Sequence, residues 1–150
     1  MSSLYVRTQI LDLLTTGLPT ENVLDLTAEY ASVAQMLTQN NLNQNSPWLG
    51  VQFVPSSEVP VDIAANNNQG CYRETGVTYF HVVDVTKRAV HQSILVRGEE
   101  VMSLFRGRRL GEITIDEITP TAFGDTATLN FEGGYSSGAV IVYWTRHFTI

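Results

Sequence analysis

Three histidines, one cysteine and one serine set between glycines are the residues that covalent or metal chemistry would need. His81, His91 and His147 do not stand at metal-ligand spacing, and Cys71 alone adds no zinc pattern. His81 alternates with apolar residues, so a packed or hydrogen-bonded imidazole is favoured over a catalytic one. Cys71 as a nucleophile would need a positioned base, and His81 lies too far along the same predicted strand to reach back. A small, half-buried hydrophobe is the better reading. The stretch G-Y-S-S-G at 134–138 resembles a nucleophile elbow in spelling, but a strand rather than a helix is predicted after it, so the required context is missing. Gly107, Gly111 and Gly133–Gly134 match no phosphate-binding loop. Asp116 and Glu117 are neighbours on a predicted strand and point to opposite faces, which excludes a carboxylate pair.

The remaining chemistry is charge. Of nine basic residues, six fall between 87 and 111: Lys87, Arg88, Arg97, Arg106, Arg108 and Arg109. The chain as a whole has a formal charge of −6. Acids follow the basic segment: Glu112, Asp116, Glu117, Asp125 and Glu132. Arginines at 106–109 suit a helix C-terminus by dipole alone, and they also suit an anionic partner. The acidic balance argues against a general nucleic-acid binder. A basic element beside an acidic one fits a protein partner, including a second copy of the chain.

At 150 residues the sequence predicts one domain, 1–150, long enough to bury a core without staples. Hydrophobic residues make up 43% and charged residues 16%. The charged share is below the usual ~25%, which leans towards surface hidden in an assembly. One cysteine excludes an intramolecular disulfide. No signal-like apolar region opens the chain and no run reaches the ~20 residues of a membrane span. The expectation is a protein made in a reducing cytoplasm.

These residues must be positioned by elements that periodicity predicts. Val6, Ile10 and Leu13 or Leu14 mark a helix over 3–16, ended by Gly17 and Pro19. Leu26, Tyr30, Val33 and Leu37 fall on one helical stripe and predict a second helix within 23–39, so 1–46 reads as a helical N-terminal part. The period then becomes two. Residues 48–54 read as a strand with Leu49, Val51 and Phe53 on one face. Residues 56–70 read as a long exposed loop. A strand over 72–86 is apolar on both faces and should be central. The basic helix, over 87–106, buries Val90, Ile94, Gly98, Val101 and Phe105, and Gly107 sits where a left-handed cap belongs. Strands are expected at 112–118, 126–131 and 139–145, with turns at 120–125 and 132–138. The fold class is α+β: a mostly antiparallel sheet with helices packed on one face.

A series of short blocks carries a family resemblance. They are P-W-L-G-V-Q-F-V at 47–54, S-S-E-V-P-V at 56–61, N-Q-G-C-Y-R-E-T-G at 68–76 and F-H-V-V at 80–83. R-G-E-E-V at 97–101, F-R-G-R-R-L-G at 105–111, I-T-I-D-E-I-T-P at 113–120 and N-F-E-G-G-Y at 130–135 continue the series. Over about 47–146 the chain resembles the tail terminator-like proteins of long-tailed phages and prophages; the N-terminal helices fit in position more than in sequence.

The resemblance implies a structural virion protein and not an enzyme. Such a subunit forms a ring, a hexamer by family pattern, that caps the tail tube and stops its polymerisation. Its partners would be the tail tube protein and the head-side connector, with DNA passing through without specific binding. It implies no cofactor, no metal and no catalytic residue. Candidate subunit-interface residues are Arg97, Arg106, Arg108 and Arg109 against Glu112, Asp116, Glu117 and Glu132, as two unlike edges. The loops 56–70 and 120–125 are candidates for axial contacts. Alternatives are another neck or tail-completion ring component and, further off, a small-molecule-binding α+β domain.

Overall fold

A computed structural model describes residues 3–26, 33–42, 46–61, 70–85, 90–120 and 135–149. Helix α1 (Leu4–Gly17) begins at Ser3, whose Oγ accepts the Val6 amide at 3.4 Å. Its Val6, Ile10 and Leu14 recur every four residues and are all fully buried. Burial of this kind is worth roughly 1.5–3 kcal/mol per side chain. Helix α3 (Val90–Phe105) buries Ile94, Val101 and Phe105, with Gly98 on the same face. It stops at Gly107, which has φ +62°, so the left-handed cap stands where the sequence predicts it.

The spine is a pair of long strands. β4 (Cys71–Val85) and β7 (Tyr135–Thr149) run antiparallel and pair along their whole length, from Cys71↔Thr149 to Val85↔Tyr135. Outside β4 lie β2 (Trp48–Phe53) and β3 (Ser57–Pro60), set end to end along it. β1 (Val23–Asp25) joins β2 as a parallel neighbour. On the far side β7 pairs with β6 (Ile113–Pro120), which carries the two-residue β5 (Arg109–Leu110). The order is β1-β2-β4-β7-β6-β5, with β3 beside β4. The result is a single α+β domain whose sheet is antiparallel except for β1, and β4 is central as its two apolar faces require.

Alternation along β4 divides the core. Phe80 and Val82 face α1 and α3, together with Leu49, Val51, Val140, Val142 and Trp144. The opposite face carries a smaller cluster in which Trp48 and Val83 meet Leu24 and the Met36 and Leu37 of α2 (Val33–Gln39). Among the described residues α1 and α3 leave that opposite face uncovered and α2 covers part of it; away from α2 it is the bare side of the sheet.

Three expectations are corrected. Residues Val23–Asp25 are a strand and not the start of a helix. The Leu26 amide donates to Val51 O and the Leu49 amide to Asn22 O, so pairing with β2 overrides the helical stripe. Within 56–70, Ser57–Pro60 pair with β4 and the Val61 amide donates to Cys71 O, so the start of that stretch is sheet. Tyr135 onwards is strand and not turn, because β4 is long enough to partner it. The predicted strand at 126–131, loop residues 121–125, Lys87, Arg88 and Glu132 lie outside the described residues.

Candidate functional site

Arg97 projects from the middle of α3 into the molecule. Its guanidinium grips Glu21 with Nε and Nη2, each at 2.8 Å, and donates to the carbonyls of Val83 at 2.9 Å and Trp48 at 3.1 Å. Both side chains of the pair are about one-eighth exposed (13% and 12%). A fork-to-fork pair with two further carbonyls leaves the guanidinium little donor capacity for a partner. Arg97 is thus a clamp between α3, the segment before β1, and strands β2 and β4.

A second charged group was not foreseen. Glu74 lies on the helix-facing side of β4 and is 1% exposed. It accepts from the Ser3 amide at 3.1 Å, Ser3 Oγ at 2.8 Å and Ser56 Oγ at 2.6 Å. Its counter-charge is Arg146 at 3.5 Å, on the paired residue of β7. The Arg146 guanidinium sits between the rings of Tyr5 and Phe148, 4.2 and 4.1 Å from their centroids, and donates to Glu112 at 2.8 Å. The Tyr5 hydroxyl in turn accepts the Glu112 amide. The N-terminal end of α1 adds favourable dipole to the carboxylate. All this binds α1 to the end of the β4–β7 spine. Glu112, 45% exposed, has its carboxylate engaged by Arg146. The signal for Glu74 was its parity: it shares a strand face with Thr78, Phe80 and Val82.

His81 is fully buried on the other face. Its Nε2 meets Gln52 Oε1 at 2.9 Å, while Nδ1 has no hydrogen-bond partner among the described residues. Burial lowers its pKa from 6.5 to about 4, so the ring is neutral at physiological pH. Cys71 is exposed at the far end of the same strand, with its sulfur 3.9 Å from Thr149 Oγ1. Among the described residues no group of three or more His, Cys, Asp or Glu is placed to hold a metal ion.

The remaining expected residues gather at one place. Gly107 and Gly111 both have positive φ and turn the chain back, so β5 runs beside β6 directly after α3. Arg106 pairs with Glu99 at 2.6 Å in the open. Arg109 donates to the Gly111 carbonyl at 3.3 Å. Arg108 is exposed and, among the described residues, enters no ion pair. Asp116 accepts the Thr145 hydroxyl and Glu117 that of Thr119 at 3.2 Å. Arg106 and Met102 line one wall of a shallow depression, and Ile115, Asp116, Glu117 and Ile118 line the other. Basic and acidic residues expected on two different edges thus share one edge. The chemistry available there is exchange of solvated ion pairs with a macromolecular partner.

No family model matches the chain, and no curated protein matches it. One solved structure, whose title carries no functional description, aligns with 95% of this chain and 96% of its own at a TM-score of 0.54 and 15% identity. At that identity the likeness is one of fold, and it places this chain's α+β architecture with that of the solved protein.

Proposed function

We propose that the chain is a tail terminator subunit of a long-tailed phage, which forms a ring, caps the tail tube and joins it to the head-side connector. The observation that carries this reading is the mixed-sign edge formed by Arg106, Arg108, Asp116 and Glu117. These are exposed charges held on a strand and a helix end, and among the described residues they form no ion pair apart from the Arg106–Glu99 contact. A closed ring needs such a surface, because every subunit must present directional contacts that its own fold leaves unused. The blocks at 47–61, 68–83 and 97–120 resemble the terminator family, and they fall on β2, β3, β4, α3, β5 and β6, the parts that build this edge and its opposite. An acidic net charge of −6 also suits a channel through which DNA slides without sticking.

The test is assembly. The chain should form closed rings in native mass spectrometry and negative-stain microscopy, alone or when mixed with the tail tube protein. Tubes grown in its presence should stop at one capped end. A chain that stays monomeric both alone and with tubes, and leaves their growth unaltered, is not a terminator. Some ring proteins assemble only on their partner, which is why both arms are needed.

A further inference from the structure

Among the described residues the sheet has two open edges, and their charges are complementary. β5 covers only Ile113 and Thr114 of β6. Among the described residues, the stretch from Ile115 to Pro120 therefore has β7 on one side and no strand on the other. At the opposite edge, among the described residues, β3 pairs with β4 alone, and all four of its residues are exposed. Val59 there and Val61 just beyond are large apolar side chains left 40% and 46% exposed. β3 is antiparallel to β4, whereas β6 runs with it, so copies that continue the sheet set β6 of one against β3 of the next as an antiparallel pair.

The charges follow the faces. Glu58 is opposite Glu74 and so lies on the helix side of the sheet. At the other edge that side carries Arg106 and Arg108, which line the hollows beside α3. The bare side is reversed. Arg73 lies at the β3 edge, while Glu117, opposite Tyr143, lies at the β6 edge. Glu58, Arg73, Arg108 and Glu117 are all exposed, and among the described residues none enters an ion pair. Exposed Val59 and Tyr143 occupy the bare side of the two edges.

The stagger also fits. β3 is level with Tyr72–Thr75 of β4, and the free part of β6, traced through β7, is level with Gly76–Phe80. That offset is about 15 Å at a strand rise of ~3.3 Å, and it accumulates across four strand spacings of ~4.8 Å. The corresponding strand tilt is roughly 40°, within the range at which sheets close on themselves.

We infer that subunits join by adding β3 of one copy to the free edge of β6 of the next, with Glu58 towards Arg108 on the helix side and Arg73 towards Glu117 on the bare side. This rests on the ring reading and supplies its interface. Six copies, each giving β3, β4, β7 and β6 to the shared wall, would close a barrel of roughly 45–50 Å backbone diameter, wide enough to hold an open channel.

Two measurements on the full chain test it. In a Cys71→Ser background, Val59→Cys with Glu117→Cys should give a ladder of intermolecular disulfides on oxidation, and neither cysteine alone should give more than dimers. Separately, Glu58→Arg or Arg108→Glu should each raise the concentration for half-assembly about tenfold or more, and the two together should return it towards wild type. Thermal melts of each variant check that the subunit is folded. Rings that form but give no ladder and ignore the single reversals overturn the strand pairing and leave the ring reading standing. Absence of rings, alone and with tubes, removes both.

Discussion

His81 is held neutral by its surroundings. Gln52 occupies one ring nitrogen, Tyr79 lies alongside it with its ring centroid 6.1 Å away, and the other nitrogen has no acceptor for a second proton. The folded pKa is about 4 against 6.5 for the free side chain, so the unfolded chain binds this proton first as pH falls. The stability that His81 contributes is complete above about pH 6.5, is lost as pH drops towards 4, and levels off below it. The full loss is on the order of 3 kcal/mol. Urea unfolding of wild type and His81→Gln at pH 7, 5.5 and 4 isolates the effect from other titrating groups. The gap between the two proteins should shrink or reverse as pH falls, whereas a gap that stays constant would mean that His81 takes up its proton equally in both states. The sequence reading placed His81 as a packed histidine from its alternation with valines, and burial agrees. The same alternation extended to Glu74 would have put a carboxylate in the core. What it lacked was the partner, since Ser3 and Arg146 lie 71 and 72 residues away.

Glycines at the element scale show two different constraints. Gly76 on β4 faces Trp144 on β7, and a Cβ there would run into the indole ring. Trp144 is 1% exposed and its Nε1 donates to Thr78 Oγ1 at 3.1 Å, so the ring has nowhere to move. Gly107 is the reverse case: space around it is open, but its φ of +62° strains any residue with a Cβ. Gly76→Ala should cost about 2–3 kcal/mol through overpacking, and Gly107→Ala about 1 kcal/mol through backbone strain. Denaturant midpoints at unchanged slope measure both, and an equal or inverted order would refute the assignment of causes. The elements that were legible are those long enough to show a period: α1, α3, β2 and β4. β1, β3 and β5 have three, four and two residues. Their strand character comes from the neighbour they pair with, so no local pattern announces it. The helix expected within 23–39 is present as Val33–Gln39, but its predicted start was lost for the same reason, because Val23–Asp25 pair with β2 as a parallel strand.

At the scale of the whole molecule the charges divide into two sets that the sequence could not separate. Arg97 and Arg108 lie in one basic segment, yet Arg97 is committed to Glu21, 76 residues away, and Arg108 is exposed with no ion pair among the described residues. The internal set, Arg97–Glu21 and Arg146–Glu74, is mostly buried and holds α3 and α1 to the sheet. The external set, Glu58, Arg73, Arg108 and Glu117, borders the two open edges. Salt distinguishes them, since the screening length is ~10 Å at 0.1 M and ~3 Å at 1 M and exposed pairs are screened far more than buried ones. If the external set joins subunits, raising salt from 0.1 to 1 M should move half-assembly to about tenfold higher concentration. The unfolding midpoint of the dissociated subunit should change little over the same range. Sedimentation velocity reads the first and calorimetry below the assembly concentration reads the second. Assembly indifferent to salt would leave only Val59, Val61 and Tyr143 to hold an interface, and the charge pattern of the two edges would then play no part in joining them.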